Sequence, residues 1–335
     1  MKTNSVDWIN NIINQKEVVN FPLMTNSGIE LIGKKVIDAV TNGEVHYEAV
    51  KILAEKYPSI ASSVIMDLTV ESESFGAEIS FTDNDMPNVI GRLVKDEASI
   101  DALQIPDINT GRMPEYIKAN KLISENVNKP IFAGCTGPFS LAGRLYGITE
   151  FMMGMYINPD EVKKLLDKCT DFIIKYCNAL KAAGSNGVVV AEPVAGLLSN
   201  DACKEFSSVY VKRIVEEVQD DSFAVFLHNC GNKGQCTEAM VYTGAMGYHF
   251  GNEIDMVQAL KDCPSDVLVM GNIDPVGILK LDIPDEVYNE TIDLLNRTSE
   301  YPNFVMSSGC DTPPRIPFEN IDKYFQAVID YNKKL

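Results

Sequence analysis

Apolar and polar residues along the chain fall into two alternating kinds of segment. Short apolar runs, such as VVVA at 188–191 and FAVFLH at 223–228, are typical of parallel strands covered on both faces. Each run ends in polar or glycine residues, and a longer stretch with the apolar spacing of an amphipathic helix follows. This pattern predicts eight strands, at residues 18–24, 62–67, 130–135, 187–192, 224–228, 244–250, 267–273 and 304–308.

The intervening stretches predict helices. One begins at Asn158 or Asp160 and runs to residue 180, with Gly184 just beyond its end. Regular alternation of strand and helix implies a parallel sheet with right-handed crossovers. Eight strands in this length favour an α/β (β/α)8 TIM barrel, with an open doubly wound sheet as the alternative. Further helices are predicted at 201–218, 255–261, 285–298 and 318–333.

Two segments depart from the alternation. A helix at 6–16 precedes the first strand as an N-terminal extension, and a long insertion at 68–129 follows strand two. The insertion contains a predicted hairpin at 79–94, and insertions of this length usually cover the carboxyl-terminal mouth of a barrel. No linker, repeat or low-complexity tract interrupts the chain, so we expect a single domain over residues 1–335.

Charge and composition narrow the classes of function. The 335 residues include 29 Lys and Arg against 47 Asp and Glu, a net charge of −18, which argues against nucleic acid or an anionic membrane as partner. No apolar run approaches the ~18 residues of a membrane span, and the N-terminus lacks the basic start and apolar run of a signal peptide. We therefore expect a cytoplasmic protein, in which the eight cysteines are packed thiols, metal ligands or catalytic groups.

The carboxyl ends of the predicted strands carry the candidate chemistry, because barrel enzymes place their active sites there. These positions are rich in residue types that bind metals, and two of the three histidines of the chain are among them. The residues are Asp67, Cys135, Glu192, His228, Cys230, His249, Asn272, Asp274 and Cys310.

The most specific pattern is His228-x-Cys230, since alternate residues of an extended segment point to the same side. Cys310 at the end of strand eight adds a third soft ligand, and one His with two Cys suits Zn²⁺ with an open fourth position. Cys236 is an alternative third ligand, and His249 could be a further one, although a histidine at a strand end is more commonly a hydrogen-bonded residue. Ordinary packing of these side chains is the competing interpretation.

Other strand-end groups remain open between a functional and a structural role. Glu192 ends an apolar strand, so its carboxylate is either a fourth ligand, a partner of a ligand or half of a salt bridge. Asp67 has the same ambiguity, with Glu71 one helical turn later. The loop GCTGPFSLAG at 134–143 offers backbone N–H groups for an anion. We expect His46, within a predicted helix, to be a surface or packing residue.

Several of these motifs occur together in one known order. They are FAGCTGPFSLAGRLYG, AEPVAGLLSNDACKEF, HNCGN, GNIDPVGIL and SSGCDTPPRIPFENI, and in this order the chain resembles the uroporphyrinogen decarboxylase superfamily from about residue 21 to 321. Within it, the H-x-C pair upstream of a C-terminal Cys resembles the zinc-dependent methylcobamide:coenzyme M methyltransferases.

This resemblance implies zinc ligands at His228, Cys230 and Cys310, with Glu192 completing the shell before substrate enters. It implies a methyltransferase that moves a methyl group from a methylcobamide, carried by a small corrinoid protein, to a zinc-bound thiolate such as coenzyme M. Glu192 is then a candidate acceptor of the thiol proton, and Asp67 orients groups in the pocket. The backbone amides at 134–137, that of Gly137 among them, and the side chain of Arg144 are candidate donors to a sulfonate.

Three alternatives stay open. A cofactor-free decarboxylase is disfavoured, because the stretch at 21–33 lacks the arginines that hold a polycarboxylate in that branch. A corrinoid-binding protein without turnover is the second, and transfer from an O- or N-methyl donor onto cobalt is the third. The sequence leaves undecided the methyl acceptor, the upstream donor, the direction of transfer, the fourth zinc ligand and the oligomeric state.

Overall fold

The computed structural model describes residues 4–335, and a curved parallel sheet organises them. Over these residues the sheet has seven strands. Each is paired in parallel with the strand of the same sheet that follows it in the chain. A separate antiparallel pair, β2 (Glu78–Ser80) and β3 (Asn88–Ile90), forms the hairpin predicted in the insertion. The strands are β1 (Ser62–Ser63), β2 (Glu78–Ser80), β3 (Asn88–Ile90), β4 (Ile131–Thr136), β5 (Gly187–Ala191), β6 (Ala224–Asn229), β7 (Gly247–Phe250), β8 (Leu268–Ile273) and β9 (Phe304–Ser308). The order in the parallel sheet is β1-β4-β5-β6-β7-β8-β9.

Residues around Asn20 close the sheet into a barrel. Asn20 forms a parallel bridge with Met306 of β9, and the Phe21 N–H donates to the Met306 carbonyl at 2.9 Å. On the other side, the Asn20 carbonyl accepts from the Ile60 N–H at 3.0 Å, just before β1. The first predicted strand thus occupies the eighth position of the barrel, although only one of its residues forms a ladder bridge. The prediction of a (β/α)8 barrel is confirmed, and the open sheet is wrong.

Helices follow the barrel strands and cover the outside of the sheet. The predicted helix at 201–218 is interrupted by a π-helical turn at Lys204–Ser208, between α11 and α12. The helices are α1 (Ser5–Asn14), α2 (Asn26–Leu31), α3 (Val36–Thr41), α4 (Gly43–Lys56), α5 (Val70–Ser74), α6 (Glu97–Ala102), α7 (Met113–Asn126), α8 (Pro138–Tyr146), α9 (Ile148–Ile157), α10 (Pro159–Ala182), α11 (Asn200–Cys203), α12 (Val209–Val218), α13 (Thr237–Val241), α14 (Met256–Asp262), α15 (Pro284–Thr298) and α16 (Phe318–Asn332).

The barrel interior is a packed apolar core rather than a pore. Phe132 and Phe226 stack there with their ring centroids 4.4 Å apart. Ile9 and Ile12 of α1 belong to the same buried cluster, so the N-terminal helix packs against the inside residues of the barrel. This packing leaves the carboxyl ends of the strands as the open side of the molecule.

Within residues 4–335, no helix is long and apolar enough to cross a membrane.

Candidate metal centre

Three soft side chains converge at the carboxyl ends of β6 and β9. His228 lies in β6, Cys230 follows that strand, and Cys310 stands two residues after β9. The ligating atoms of the three residues lie within 4.8 Å of one another, and Cys310 Sγ is 3.6 Å from His228 Nε2. His228 is buried, whereas both cysteines are half-buried. We call these three residues the donor triad.

The donor triad fits a zinc ion. Zinc bond lengths of about 2.0–2.1 Å to nitrogen and about 2.3 Å to sulfur place the two atoms about 3.6 Å apart in a tetrahedron. The Cys310 Sγ to His228 Nε2 distance of 3.6 Å agrees with this value. One imidazole and two thiols also leave one tetrahedral position free, the arrangement found in catalytic rather than structural zinc sites.

The two thiols of the triad differ in acidity. A hydrogen bond with Cys310 lowers the pKa of Cys230, so the thiolate of the pair forms first at Cys230. The same hydrogen bond, together with burial, raises the pKa of the Cys310 thiol. Because zinc binds thiolate rather than thiol, metal binding at this site would release a proton from Cys310.

A chain of hydrogen bonds inside the barrel fixes the tautomer of His228. The Ser307 hydroxyl donates to the Phe21 carbonyl at 2.7 Å, so its oxygen accepts from His249 Nε2–H at 2.8 Å. With its proton on Nε2, neutral His249 accepts at Nδ1 from His228 Nδ1–H, also at 2.8 Å. His228 is left with a lone pair on Nε2, the atom that faces Cys310.

The environment keeps His249 neutral. The side chain is buried, and burial together with the nearby His228 lowers its pKa well below the usual value. Strand-end position alone indicated His249 as a hydrogen-bonded residue, but its contact with His228 depends on the register of β6 and β7, in which the two histidines are direct partners. Sequence reasoning missed the role of Ser307, whose only signal is its place three residues before Cys310.

Glu192 lies outside the donor triad and caps a helix. Its carboxylate accepts from the backbone N–H groups of Phe139 and Ser140, both at 2.8 Å, and from the Ser140 hydroxyl at 2.7 Å. Burial raises its pKa to about 7, against the opposing effect of these hydrogen bonds. To ligate a metal, the carboxylate would have to leave the N-terminus of α8, so its role as fourth ligand stays a prediction.

Asp67 is held by an arginine from the insertion. The Arg112 guanidinium donates to Asp67 and, through Nε, to Glu73 at 2.7 Å, while the Thr69 hydroxyl also donates to Asp67 at 2.7 Å. Both partners of the Asp67–Arg112 ion pair are buried. The ion pair therefore connects Arg112 of the insertion to the segment that follows β1. A direct role of Asp67 in the pocket stays a prediction.

The loop after β4 uses its backbone donors internally. The Gly137 N–H donates to the Ala191 carbonyl at 2.7 Å, and the Thr136 N–H donates to Glu71 at 2.9 Å. Burial raises the pKa of Glu71 to about 7. A Cβ at position 137 would collide with the Glu192 side chain, so glycine there admits that carboxylate. The sulfonate-binding role predicted for Gly137 is untested by this geometry.

Arg144 lies in α8 with its Nε atom buried and without a hydrogen-bond partner among residues 4–335. Burial lowers its pKa, whereas the nearby carboxyl groups of Glu71 and Asp67 raise it. The Arg144 side chain is therefore close to the carboxyl groups of Glu71 and Asp67. Its predicted contact with the sulfonate of a substrate stays a prediction.

The remaining candidates lie elsewhere. Cys236, the alternative third ligand, does not belong to the donor triad, in which Cys310 lies beside His228 and Cys230. The Cys236 thiol donates to the Leu198 carbonyl at 3.1 Å. The Cys135 thiol packs 4.0 Å from that of Cys177. His46 is buried in α4, where its Nε2 accepts from the Ile65 N–H at 3.0 Å, so it is a packing residue as expected.

A cavity of about 160 Å³ opens beside the donor triad, and all three triad residues line it. This volume is small compared with the roughly 300–1,000 Å³ of sites for drug-sized ligands, so it suits a small substrate. Most of its remaining wall comes from the apolar residues Leu23, Met66, Leu68, Phe132, Val189 and Pro193.

Comparison with known proteins places this geometry in context. The family model described as uroporphyrinogen decarboxylase (URO-D) matches residues 12–331. A methylcobamide:CoM methyltransferase MtbA of Methanosarcina acetivorans is 29% identical over 299 residues, covering 86% of each chain. A uroporphyrinogen decarboxylase of Cellvibrio japonicus is 27% identical over 303 residues, covering 87% of this chain and 83% of the relative.

The fold also matches that of a solved structure, a methyltransferase from Methanosarcina mazei. The match has a TM-score of 0.88 at 24% identity and covers 98% of both chains. The predicted resemblance to the family and to its methyltransferases is thus confirmed. The sequence identity to the methyltransferase, 29%, is close to the 27% identity to the decarboxylase. The chemistry of the site therefore has to distinguish between them.

Proposed function

The chain belongs to the uroporphyrinogen decarboxylase (URO-D) family, and both methyltransferases and decarboxylases are among its relatives; we propose that it is a zinc-dependent methyltransferase. The methyl donor is a methyl-Co(III) corrinoid on a small partner protein, and the acceptor is a thiol. The observation that carries this proposal is the donor triad of His228, Cys230 and Cys310. A decarboxylation that uses no cofactor has no need for three converging soft ligands.

The donor triad would hold the ion beside the cavity that the same three residues line. When bound, zinc supplies the Lewis acidity that keeps an acceptor thiol deprotonated at neutral pH. As thiolates, Cys230 and Cys310 would contribute two negative charges, which would balance the charge of the ion and leave an entering sulfur electron-rich. The apolar wall excludes water, and the cavity positions the sulfur for attack.

The roles of the other chain residues follow from their contacts. His249 and Ser307 orient His228, so that the Nε2 lone pair points toward the metal site. Glu192 is our candidate for accepting the thiol proton, since burial brings its pKa to about 7. A corrinoid must approach the open carboxyl side of the barrel, where the insertion anchored by Arg112 contributes to the rim.

Relatives named for coenzyme M make that thiol the first acceptor to test. A single-domain organisation over residues 1–335 and a cytoplasmic location remain part of this proposal. Transfer in the opposite direction, from an O- or N-methyl donor to cobalt, uses the same ligands and is distinguished by which substrates react.

The proposal is tested by anaerobic incubation with methylcobalamin and a series of thiols, with the conversion of Co(III) to Co(I) followed by absorbance. We expect thiol-dependent demethylation, about one bound zinc per chain, and loss of both in Cys310→Ala. Cys263→Ala is the matched control, because Cys263 is a buried thiol outside the donor triad. Full activity in metal-free protein or in Cys310→Ala would contradict the proposal.

A further inference from the structure

The cavity beside the donor triad lacks the features that would bind an anionic substrate. Its wall is formed mainly by aliphatic and aromatic side chains, among them Leu23, Met66, Leu68 and Phe132. Among the described residues that line it there is no lysine and no arginine. The ionisable residue that accompanies the triad is Asp311, which is acidic.

The polar groups of the wall are mostly engaged. The Thr25 hydroxyl donates to Asp311 Oδ2 at 2.7 Å, and the Thr25 N–H donates to Oδ1 at 3.2 Å. The hydroxyl proton of Thr25 is therefore already used, which leaves Ser63 as the other hydroxyl-bearing residue of the lining. One hydroxyl can bind a neutral polar group but does not compensate the desolvation of a sulfonate.

Several donors close to the cavity are also occupied. The N–H groups of Phe139 and Ser140 point to Glu192, and that of Gly137 to Ala191. Arg112 is bound to Asp67 and Glu73. Arg144, whose Nε has no partner among residues 4–335, is not one of the residues that line the cavity, so the lining itself offers no cation to a sulfonate.

The charges around the cavity also disfavour an anionic acceptor. An acceptor in this cavity lies next to the thiol groups of Cys230 and Cys310, which bind metal as anions. The two thiolates would already balance the charge of a bound zinc ion, so a second anionic group on the acceptor would lie among apolar side chains with no lysine or arginine of the lining to compensate it. Burying an unpaired charge costs several kcal/mol or more, so such an acceptor would be disfavoured.

We infer that the methyl acceptor is a small thiol whose body is uncharged and largely apolar, rather than a thiol with a sulfonate or carboxylate group. This inference rests on the proposed function and specifies its substrate class. In the reaction, the acceptor sulfur forms the S–CH₃ bond while the Co–C bond breaks and its electron pair stays on cobalt. The thiol proton passes to its acceptor, for which Glu192 is our candidate, and the product is a neutral thioether.

The test compares thiols that differ in charge but little in size. Coenzyme M, 2-mercaptoethanesulfonate, is paired with its neutral methyl sulfone, 2-(methylsulfonyl)ethanethiol, and 1-propanethiol represents an apolar body. With zinc-loaded protein and methylcobalamin, we expect kcat/KM for both neutral thiols to exceed that for the sulfonate at least tenfold, after subtraction of the uncatalysed rates.

A charge-gain variant tests whether this cavity is the acceptor site. Leu68 is half-buried in the wall, so Leu68→Lys adds a cation there and Leu68→Gln serves as the neutral control. We expect the ratio of sulfonate to sulfone kcat/KM to rise at least tenfold in Leu68→Lys and to stay unchanged in Leu68→Gln. Zinc content, measured in parallel, verifies that both variants retain the metal.

The outcomes separate the inference from the proposed function. A sulfonate that reacts as well as its neutral isostere would overturn the inference while the methyltransferase proposal stands. An unchanged ratio in zinc-loaded Leu68→Lys would overturn the assignment of this cavity to the acceptor. If no thiol reacts with methylcobalamin, the proposed function fails, and the inference fails with it.

Discussion

At the scale of single residues, metal binding by the donor triad depends on which nitrogen of His228 carries a proton. The hydrogen bonds from Phe21 through Ser307 and His249 leave the lone pair on His228 Nε2, where it faces Cys310. Groups that orient a metal-binding histidine are typically worth a factor of 10–100 in metal affinity. Ser307 and His249 are therefore positioning residues of the site.

We predict that Ser307→Ala weakens zinc binding by about 10-fold to 100-fold, because His249 loses the acceptor that fixes its tautomer. Competition with a chromogenic chelator measures the affinity. Ser308→Ala is the matched control, since the neighbouring hydroxyl accepts from the Leu23 N–H and takes no part in the chain to His228. Equal affinities of the two variants would contradict the assigned role.

Nitrogen-15 NMR of the histidines tests the tautomers themselves. The chain has three histidines, and the geometry predicts a proton on Nδ1 in His46 and His228 and on Nε2 in His249. We expect the metal-free wild-type protein at neutral pH to show this pattern. A proton on Nε2 of His228 would contradict the hydrogen-bond chain.

Residue-level chemistry was only partly predictable. His228, Cys230 and Cys310 follow from strand-end positions together with the resemblance, because ligand type and spacing are written in the sequence. The contacts of Glu192 and Asp67 were not predictable, because they depend on helix α8 and on Arg112, which lies 45 residues from Asp67. An isolated carboxylate at a strand end does not reveal which distant donor compensates it.

At the scale of elements, helix α8 is joined to β5 through a titratable cap. Burial raises the pKa of Glu192 from an ordinary value of 4.5 to about 7, so the folded protein binds its proton more tightly than the unfolded chain. The stabilisation from this group is complete below about pH 4.5 and is lost as the pH rises through about 7.

We predict that the free energy of unfolding of Glu192→Gln, relative to wild type, rises by about 3 kcal/mol between pH 4.5 and 7. The variant mimics the protonated side chain and lacks its titration. Urea denaturation at both pH values measures the difference. A difference that is the same at pH 4.5 and at pH 7 would show that Glu192 does not titrate in this range.

The insertion is an element held by a buried ion pair. Removing one partner of such a pair leaves an uncompensated buried charge, so we predict that Asp67→Asn lowers the free energy of unfolding by about 3 kcal/mol. Asp67→Asn combined with Arg112→Met is expected to cost less than the sum of the two single substitutions. Denaturant unfolding of all three variants measures this coupling.

The surface pair Arg297–Asp293 provides the control for that measurement. Its side chains are exposed, and such pairs contribute about 1 kcal/mol or less. Additive effects at Asp67 and Arg112 would contradict the view that the ion pair anchors the insertion.

Most strands and the long helices after residue 157 were predicted well, because the strands are short apolar runs and the helices have clear periodicity. Helices α5, α6 and α7 of the insertion were not predicted, and the strand predicted at 62–67 is reduced to Ser62–Ser63. The π-helical turn at Lys204–Ser208 was missed, since its residues continue the helical pattern of apolar positions. At the start of α10, Asn158 occupies the N-cap position without making a side-chain capping bond. Local geometry of this kind depends on packing rather than on composition.

At the scale of the whole molecule, closure of the barrel brings the ends of β6 and β9 together. The 82 residues between His228 and Cys310 separate the two ligands in the chain, and a single bridge at Asn20 completes the ring of strands. A metal that joins these two strands should therefore stabilise the entire fold.

We predict that excess zinc raises the thermal unfolding midpoint of metal-free wild type, because a ligand at 1,000 times its Kd adds about 4 kcal/mol to stability. Differential scanning calorimetry with and without zinc measures the shift. Cys310→Ala should lose most of it, whereas Cys263→Ala should keep it. An equal shift in Cys310→Ala would indicate zinc binding at some other site.

In the proposed reaction, an acceptor thiol enters the fourth position of a zinc ion held by His228, Cys230 and Cys310. Zinc K-edge X-ray absorption of the loaded protein, recorded before and after addition of a thiol that supports demethylation, tests it most directly. We predict that the number of sulfur ligands rises from two to three, as the two cysteines of the triad are joined by the acceptor. An unchanged sulfur count in protein that transfers the methyl group would contradict the account.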